Sequence, residues 1–360
     1  MTKSWFADSS VEDIIAASAI EPIGPIAWQK IYTKFHSLKE VYATKESELI
    51  NFGLTTTQAW AIKHRITQAK AQLRLLEKKQ ISLVRIDDDD YPKLLREIND
   101  PPLWLYYRGD LACLSRPTLT VVGSRKPSGY ALTVLEQLLP DGLVGNITIV
   151  SGLAYGTDKA AHLRSIKLKQ PTAAVLAGGL DSIYPCDHTQ LAEKIIEYGG
   201  VLLSEYPPLS RPLAYRFPVR NRIIAGLSPA TVIVEAALKS GTMTTAKSAL
   251  EYNRDLFAIP ADITRKNAEG NNFLLEKGAA VLRTAQTLFD YYGLKNQSVK
   301  HEIDIRLKKL LDLLTDEPKT VDQLLLTTKR PVEQILVDLT QLELMGLVYQ
   351  PTFGCYSFKK

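Results

Sequence analysis

Residues 118–151 read TLTVVGSRKPSGYALTVLEQLLPDGLVGNITIVS. Thr118 to Val122 is a short apolar run rich in β-branched residues, too short for a helix, and reads as a buried strand. Gly123-Ser124-Arg125 follows, then a helix from about Ser128 to Leu139 and a second strand from Asn146 to Val150. The same unit repeats downstream. Strands at Thr172–Ala177, Val201–Ser204, Ala230–Val234 and Leu256–Ile259 are separated by helices at Thr157–Leu168, Thr189–Tyr198 and from Thr242 to about Asn253. Alternating strands and amphipathic helices predict an α/β fold with a doubly wound, mostly parallel sheet.

The strand ends carry the functional signal. They finish in Gly123-Ser124-Arg125, Ser151-Gly152, Gly178-Gly179, Ser204-Glu205 and Glu235-Ala236, with Ser240-Gly241-Thr242 slightly later. Ligands of open α/β sheets sit beyond the carboxyl ends of the strands. Small residues there let a ligand reach the backbone, and helix N-termini offer free N–H groups to an anion. Arg216, Phe217, Arg220 and Arg222 crowd one short stretch before the strand at 230–234, and with Arg125 and Lys239 they would line that edge. Arg220 and Arg222 need not share a face, and one of them is available to Glu205 or Glu235. Phe217 either stacks on a ligand or fills the core beneath its loop; the sequence leaves both open.

The flanks differ in character. Residues 1–72 read as helices, Val11–Ile20, Ile26–Phe35, Lys45–Asn51 and Thr55–Leu76, with turns at Pro22–Pro25 and Phe52-Gly53-Leu54. Two helix–Gly–helix units suit either tandem helix-hairpin-helix modules that offer N-termini to a phosphate backbone or a plain packing module. Beyond a polar linker, Lys295–Lys300, three helices and two extended runs (347–350 and 355–358) read as a winged helix. Its third helix, from Pro331 to Met345, sets Arg330 against Glu333, Asp338 and Glu343, which suits a protein contact or accessory role better than entry into a DNA groove. The expected domains are therefore 1–72, 73–299 and 300–360.

The chain of 360 residues is 45% hydrophobic and 23% charged with a net charge of +5, an ordinary globular composition that permits anionic partners without requiring them. Three cysteines, Cys113, Cys186 and Cys355, form no C-x-x-C pair and signal neither a disulfide framework nor a zinc site. No apolar run approaches membrane-span length, and the first residues lack the apolar core of a signal peptide, so a cytoplasmic protein with no membrane contact is expected.

Catalytic readings are weaker. Asp158 and His162 stand four apart on one helix face and can pair, but Ser151 lacks the G-x-S-x-G elbow of a serine hydrolase, so a structural or ligand-orienting role is expected. The acidic run Asp87–Asp90 reads as a solvated loop, and Cys186-Asp187-His188 is too compact to wrap a metal. Gly123–Gly129 misses the dinucleotide fingerprint, and no P-loop is present, so no cofactor is expected.

In order, Tyr91-Pro92, VVGSR (121–125), SGLAYGTDKAAH (151–162), AGGLDSIYP (177–185), SEYPP (204–208), FPVRNRIIAGLS (217–228), VEAALKSGTMTTA (234–246) and GNN (270–272) resemble the DprA (Smf) family of DNA-processing proteins across about residues 85–285. The resemblance implies an extended Rossmann domain, flanked by a helix-hairpin-helix or SAM-like module and a winged helix. It further implies binding of single-stranded DNA without sequence preference, protection of incoming DNA in natural transformation, loading of RecA recombinase, homodimers and no catalytic activity. By motif, the DNA-backbone pocket falls on Gly123, Ser124 and Arg125 and on Phe217 to Asn221, with Ser240, Gly241 and Thr242 as an extension. The sequence departs from the family pattern at Thr157, where Ile is usual, at Asp187-His188, where Asn is common, and at Asn253 and Ala261, where Gly is usual. The alternative is a nucleotide-processing enzyme like the phosphoribohydrolases of related folds, whose G-G-x-G-T loop is here Lys-Ser-Gly-Thr.

Overall fold

The structure is a computed structural model that describes residues 5–20, 23–64, 69–295, 305–315, 317–344, 347–352 and 354–358. Met1–Asn296 and Gln297–Lys360 form two compact units. The first is built on a sheet of β1 (Ser82–Arg85), β2 (Trp104–Gly109), β3 (Thr118–Val122), β4 (Thr148–Ser151), β5 (Thr172–Val175), β6 (Val201–Ser204), β7 (Ala230–Ile233), β8 (Asp255–Ala258) and β9 (Ala280–Val281), in the order β1-β2-β6-β5-β4-β3-β7-β8-β9. From β6 to β9 every neighbouring pair is parallel. Beyond β6, β2 and then β1 close the edge antiparallel; β1, with only Val84 buried, has no apolar run to announce it.

The central strands are buried on both faces, and successive side chains enter opposite cores. Leu119 and Val121 of β3, Ile149 of β4 and Val232 of β7 pack with the Gly129–Leu138 and Ala285–Tyr291 helices. Val122, Val150 and Ile233 face the other core, with Ile223 and Ile224 of the Arg216–Gly226 helix.

The N-terminal helices, Val11–Ser18, Pro25–Lys34, Leu38–Ala43, Glu46–Asn51, Thr56–Lys63 and Ala69–Lys78, share that second core with the sheet. Leu38–Ala43, started by the Ser37 cap, escaped the sequence reading, and the expected long helix from Thr55 divides into two; residues 65–68 lie outside the described residues, as do Pro22 and most of the 295–300 linker. Trp28 meets Trp104 edge-on at 5.3 Å, and the Ser18 and Tyr106 hydroxyls are 2.7 Å apart. The 1–72 segment is thus part of the same compact body as the sheet.

The second unit holds helices Ile305–Asp312, Val321–Thr328 and Val332–Leu344 with β10 (Lys319–Thr320), β11 (Val348–Thr352) and β12 (Cys355–Phe358) in the order β10-β12-β11. That is a winged-helix arrangement. Asp338, 1% exposed on the third helix, takes both Arg330 and Arg306, so the Arg330 charge is spent internally.

Candidate functional site

The strand order reverses at β3, which has β4 on one side and β7 on the other. Connections leaving a switch point part company and open a crevice beyond the carboxyl ends of the strands. A cleft of about 610 Å3 lies there. Gly123, Ser124 and Arg125 after β3 form one side, Ser240, Gly241 and Thr242 after β7 another, and Phe217, Arg220 and Asn221 the helical wall. The hydrogen bonds of the loops fix this shape. Thr242 Oγ1 donates to the Gly123 carbonyl at 3.0 Å, and Asn221 Nδ2 donates to the Gly241 carbonyl and Thr244 Oγ1. The Thr157 amide and hydroxyl both donate to the Ser124 carbonyl, which gives that unusual residue a local task.

The Arg216–Gly226 helix decides which arginines reach the cleft. Its Pro218 falls in the first turn, where backbone N–H groups have no helical partner in any case. Phe217, Asn221 and Ile224 share the face that lines the cleft. Arg125 is exposed, with its guanidinium 5.4 Å from the Phe217 ring centre; Arg220 stands at 5.9 Å and Tyr184 meets the ring edge-on at 5.8 Å. Phe217 is half-buried and belongs to the cleft wall.

Arg220 is 4% exposed behind Phe217. It donates to the Gly152 carbonyl at 2.8 Å and to the Val175 carbonyl, while its Nε has no hydrogen-bond partner. Gly152 is required by proximity, since a Cβ there would stand 2.8 Å from Arg220 Nη2 and 2.8 Å from Asp158 Oδ2. Burial lowers the Arg220 pKa to about 10, against the pull of Asp158 and with a further push from Arg125. Burial also raises the Asp158 carboxyl, although Arg220 and the Ala154 and Gly152 amides favour its anion. A buried guanidinium that has lost its water and lacks full compensation favours an incoming anion.

The remaining predicted residues stand elsewhere. Arg222, two positions from Arg220, lies about 200° around the helix. It is itself buried and donates to both Glu205 oxygens at 2.6 Å and to the Asp100 carbonyl, away from the cleft lining. Burial raises the Glu205 carboxyl even though Arg222 opposes the shift. Glu235 is taken by the Ser128 amide and hydroxyl at 2.8 and 2.7 Å. Arg216 is buried over Tyr206, 4.4 Å from its ring centre, and lines a different cavity. Lys239 is exposed outside the cleft lining, and Ser151 is buried with its hydroxyl donating to the Val121 carbonyl.

The expected Asp158–His162 pairing is corrected. His162 Nδ1 lies 2.8 Å from Thr172 Oγ1, and that hydroxyl donates to the Ile149 carbonyl, so the ring N–H is on Nδ1. Asp158 turns instead to the loop amides, because the helix begins right after the Ser151–Gly156 turn and its first residues face it. Tyr184 and Asn267 join the lining without having been singled out, although Tyr184 falls within the quoted 177–185 motif. Among the described residues no group of three acidic, histidine or cysteine side chains is placed to hold a metal, and no helix is long and apolar enough to cross a membrane.

Fold and site together define a doubly wound α/β protein with a cationic, aromatic-walled cleft at its switch point. The family model described as DNA recombination-mediator protein A matches residues 82–293, and the one described as the DprA winged helix domain matches residues 303–350. The chain belongs to the DNA recombination-mediator protein A family. Among curated relatives, Protein Smf of Escherichia coli is 35% identical over 291 residues, 78% of each chain. The DNA processing protein DprA of Bacillus subtilis is 38% identical over 238 residues, 65% of this chain and 80% of that one. Among solved structures, DprA of Streptococcus pneumoniae superposes with a TM-score of 0.64 at 30% identity, over 81% of this chain and 98% of that one. DNA processing protein A of Helicobacter pylori, solved in work on its single-stranded DNA binding mode, gives 0.52 at 31% identity over 59% and 95%.

Proposed function

We propose that this protein binds single-stranded DNA without sequence preference in the switch-point cleft, performs no chemistry on it, and mediates recombination. In this reading, homodimers coat incoming DNA in the cytoplasm during natural transformation and deliver it to RecA. The observation that carries the reading is the Phe217 ring held among Arg125, Arg220 and Tyr184 at the mouth of the cleft. A cation beside an aromatic face suits a phosphate followed by a base, and stacking of this kind tolerates any base. The single-stranded DNA mode of the Helicobacter relative supports the same ligand.

The test is oligothymidylate binding at several salt concentrations. Arg125→Ala is expected to weaken binding several-fold and to lower the salt slope by about one, with an unchanged melting temperature. Unchanged affinity and slope would remove the cleft from the binding site. Release of free base from nucleoside monophosphates would favour the enzymatic alternative instead.

A further inference from the structure

The carboxyl edge of the sheet carries an exposed tyrosine after each of three neighbouring strands. Tyr155 follows β4, Tyr184 follows β5 and Tyr215 follows β6, at 42%, 51% and 58% exposure. The strands lie side by side in the order β6-β5-β4, and neighbouring strands are about 4.8 Å apart. A single large side chain in water needs no explanation, but three along the edge where open α/β sheets bind their ligands do. Tyr130, 41% exposed after β3, stands apart from them. Its hydroxyl donates to the Pro260 carbonyl beyond β8, and the Arg265 guanidinium lies 5.1 Å from its ring centre.

Contacts tie the three rings to the cleft. Tyr184 lines it and meets Phe217 edge-on at 5.8 Å. Tyr215 stands two residues before Phe217, with the Arg216 guanidinium 5.8 Å from its ring centre. Tyr155 follows the cleft-lining Ala154 and is held from two sides: its hydroxyl donates to Asp187 Oδ2 at 2.9 Å, and its ring meets His188 edge-on at 4.8 Å. One short segment, 184–188, thus serves both Tyr184 and Tyr155. Gly156 brings Arg125 alongside, since an added Cβ would stand 2.6 Å from the Arg125 carbonyl oxygen. A ring held in this way has little rotamer freedom left to lose on binding. The Asp187 carboxylate repels a phosphate at that point, so the exposed ring suits a base.

We infer that Tyr215, Phe217, Tyr184 and Tyr155 are successive platforms for bases, and that the strand crosses the carboxyl edge from the end of β6 to the end of β4, its backbone passing Arg125. Tyr155 and Tyr215 are the residues this adds, since neither lines the switch-point cleft. Every base has a π-face, so a row of rings holds any sequence, and each ring adds to the affinity of a strand long enough to reach it. The inference rests on the single-stranded DNA reading above.

The test measures the affinity of the full chain for an oligothymidylate of about 16 nucleotides and for an abasic strand of the same length and charge. Tyr155→Leu and Tyr215→Leu remove a ring and keep apolar bulk at exposed positions, so melting temperatures should not move. Each is expected to lose at least about fivefold on oligothymidylate and nothing on the abasic strand, which has no base to stack. Tyr155→Phe and Tyr215→Phe keep the ring and should bind as the parent does, as should Tyr130→Leu, which lies off the row. Parental affinity of both Leu variants for oligothymidylate overturns the inference. So does an equal loss on the abasic strand, which would make the tyrosines contacts of the backbone or supports of the loops. Arg125→Ala separates the two readings. It weakens both strands if the cleft binds DNA, in which case parental Leu variants count against the row alone. If it weakens neither, the single-stranded DNA reading itself falls.

Discussion

At the scale of single residues, the site depends on groups that never touch solvent. His162 is fully buried and carries its one N–H toward Thr172. Burial, with the nearby His188 and Arg220, lowers its pKa to about 3, far below the ordinary value of about 6.5. In this case the unfolded chain binds a proton that the folded chain refuses. Stability is fully present above about pH 6.5 and is lost as the pH falls toward about 3. His162→Asn keeps a donor for Thr172 and cannot titrate. Melting temperatures followed down this range should fall less steeply for the variant than for the parent, even though the smaller side chain lowers its stability at neutral pH. Parallel acid limbs would show that His162 is not the group being protonated. Asn253 illustrates the other kind of residue-level constraint. Its φ of 55° is the left-handed conformation that Asn tolerates best after Gly, one residue beyond the Thr242–Glu251 helix cap.

At the scale of elements, the Arg216–Gly226 helix sorts three arginines into three environments, and this sets the limit of what the sequence discloses. The strand–turn–helix alternation was legible because strand burial leaves continuous apolar runs, and the cleft followed because the strand ends are small and polar. Gly123–Arg125, Phe217, Asn221 and Ser240–Thr242 do come together as expected. That Arg220 and Arg222 could part, with one of them taking Glu205 or Glu235, was legible, and Arg222 does take Glu205; which arginine goes where was not, because Pro218 disguises the helix start as a loop. Only the helical phase reveals that Arg220 and Arg222 diverge by about 200°. The edge strand Ser82–Arg85 was missed because it is four residues long with only Val84 buried, and it follows a charged helix without a Gly or Pro break. Arg222 should therefore matter for folding rather than for DNA. Removing one member of a buried, hydrogen-bonded pair costs about 3–5 kcal/mol because the other charge is stranded. Arg222→Met is expected to lower the free energy of unfolding, read from denaturant titration, by that order. Adding Glu205→Gln should restore part of the loss, since the stranded carboxylate is then neutral. An Arg222→Met protein as stable as its parent would show that the pair carries no such weight.

At the scale of the whole molecule, the N-terminal helices are a structural part of the α/β body and not an appendage. Phe6 and Trp28 both contact Trp104 on β2, Ser18 meets Tyr106, and Gln72 donates to the Pro208 carbonyl behind the cleft loop. The family-model match begins at residue 82, so a chain starting there holds the matched domain yet leaves this face bare. Aromatic side chains of this size bury about 150–250 Å2 each, and exposing Trp104 and Tyr106 with their neighbours costs several kcal/mol. At about 2–4 °C per kcal/mol for a body of this size, the chain from residue 82 should melt at least about 10 °C below the full chain and bind a hydrophobic dye that the full chain excludes. The truncation leaves every lining residue of the switch-point cleft in the chain. Below its melting point it should therefore keep the affinity of the full chain for oligothymidylate. A truncated chain that melts with the full chain and excludes the dye would show the helices to be separable. One that melts early and has lost oligothymidylate binding even below its melting point would show that the helices also hold the cleft in shape.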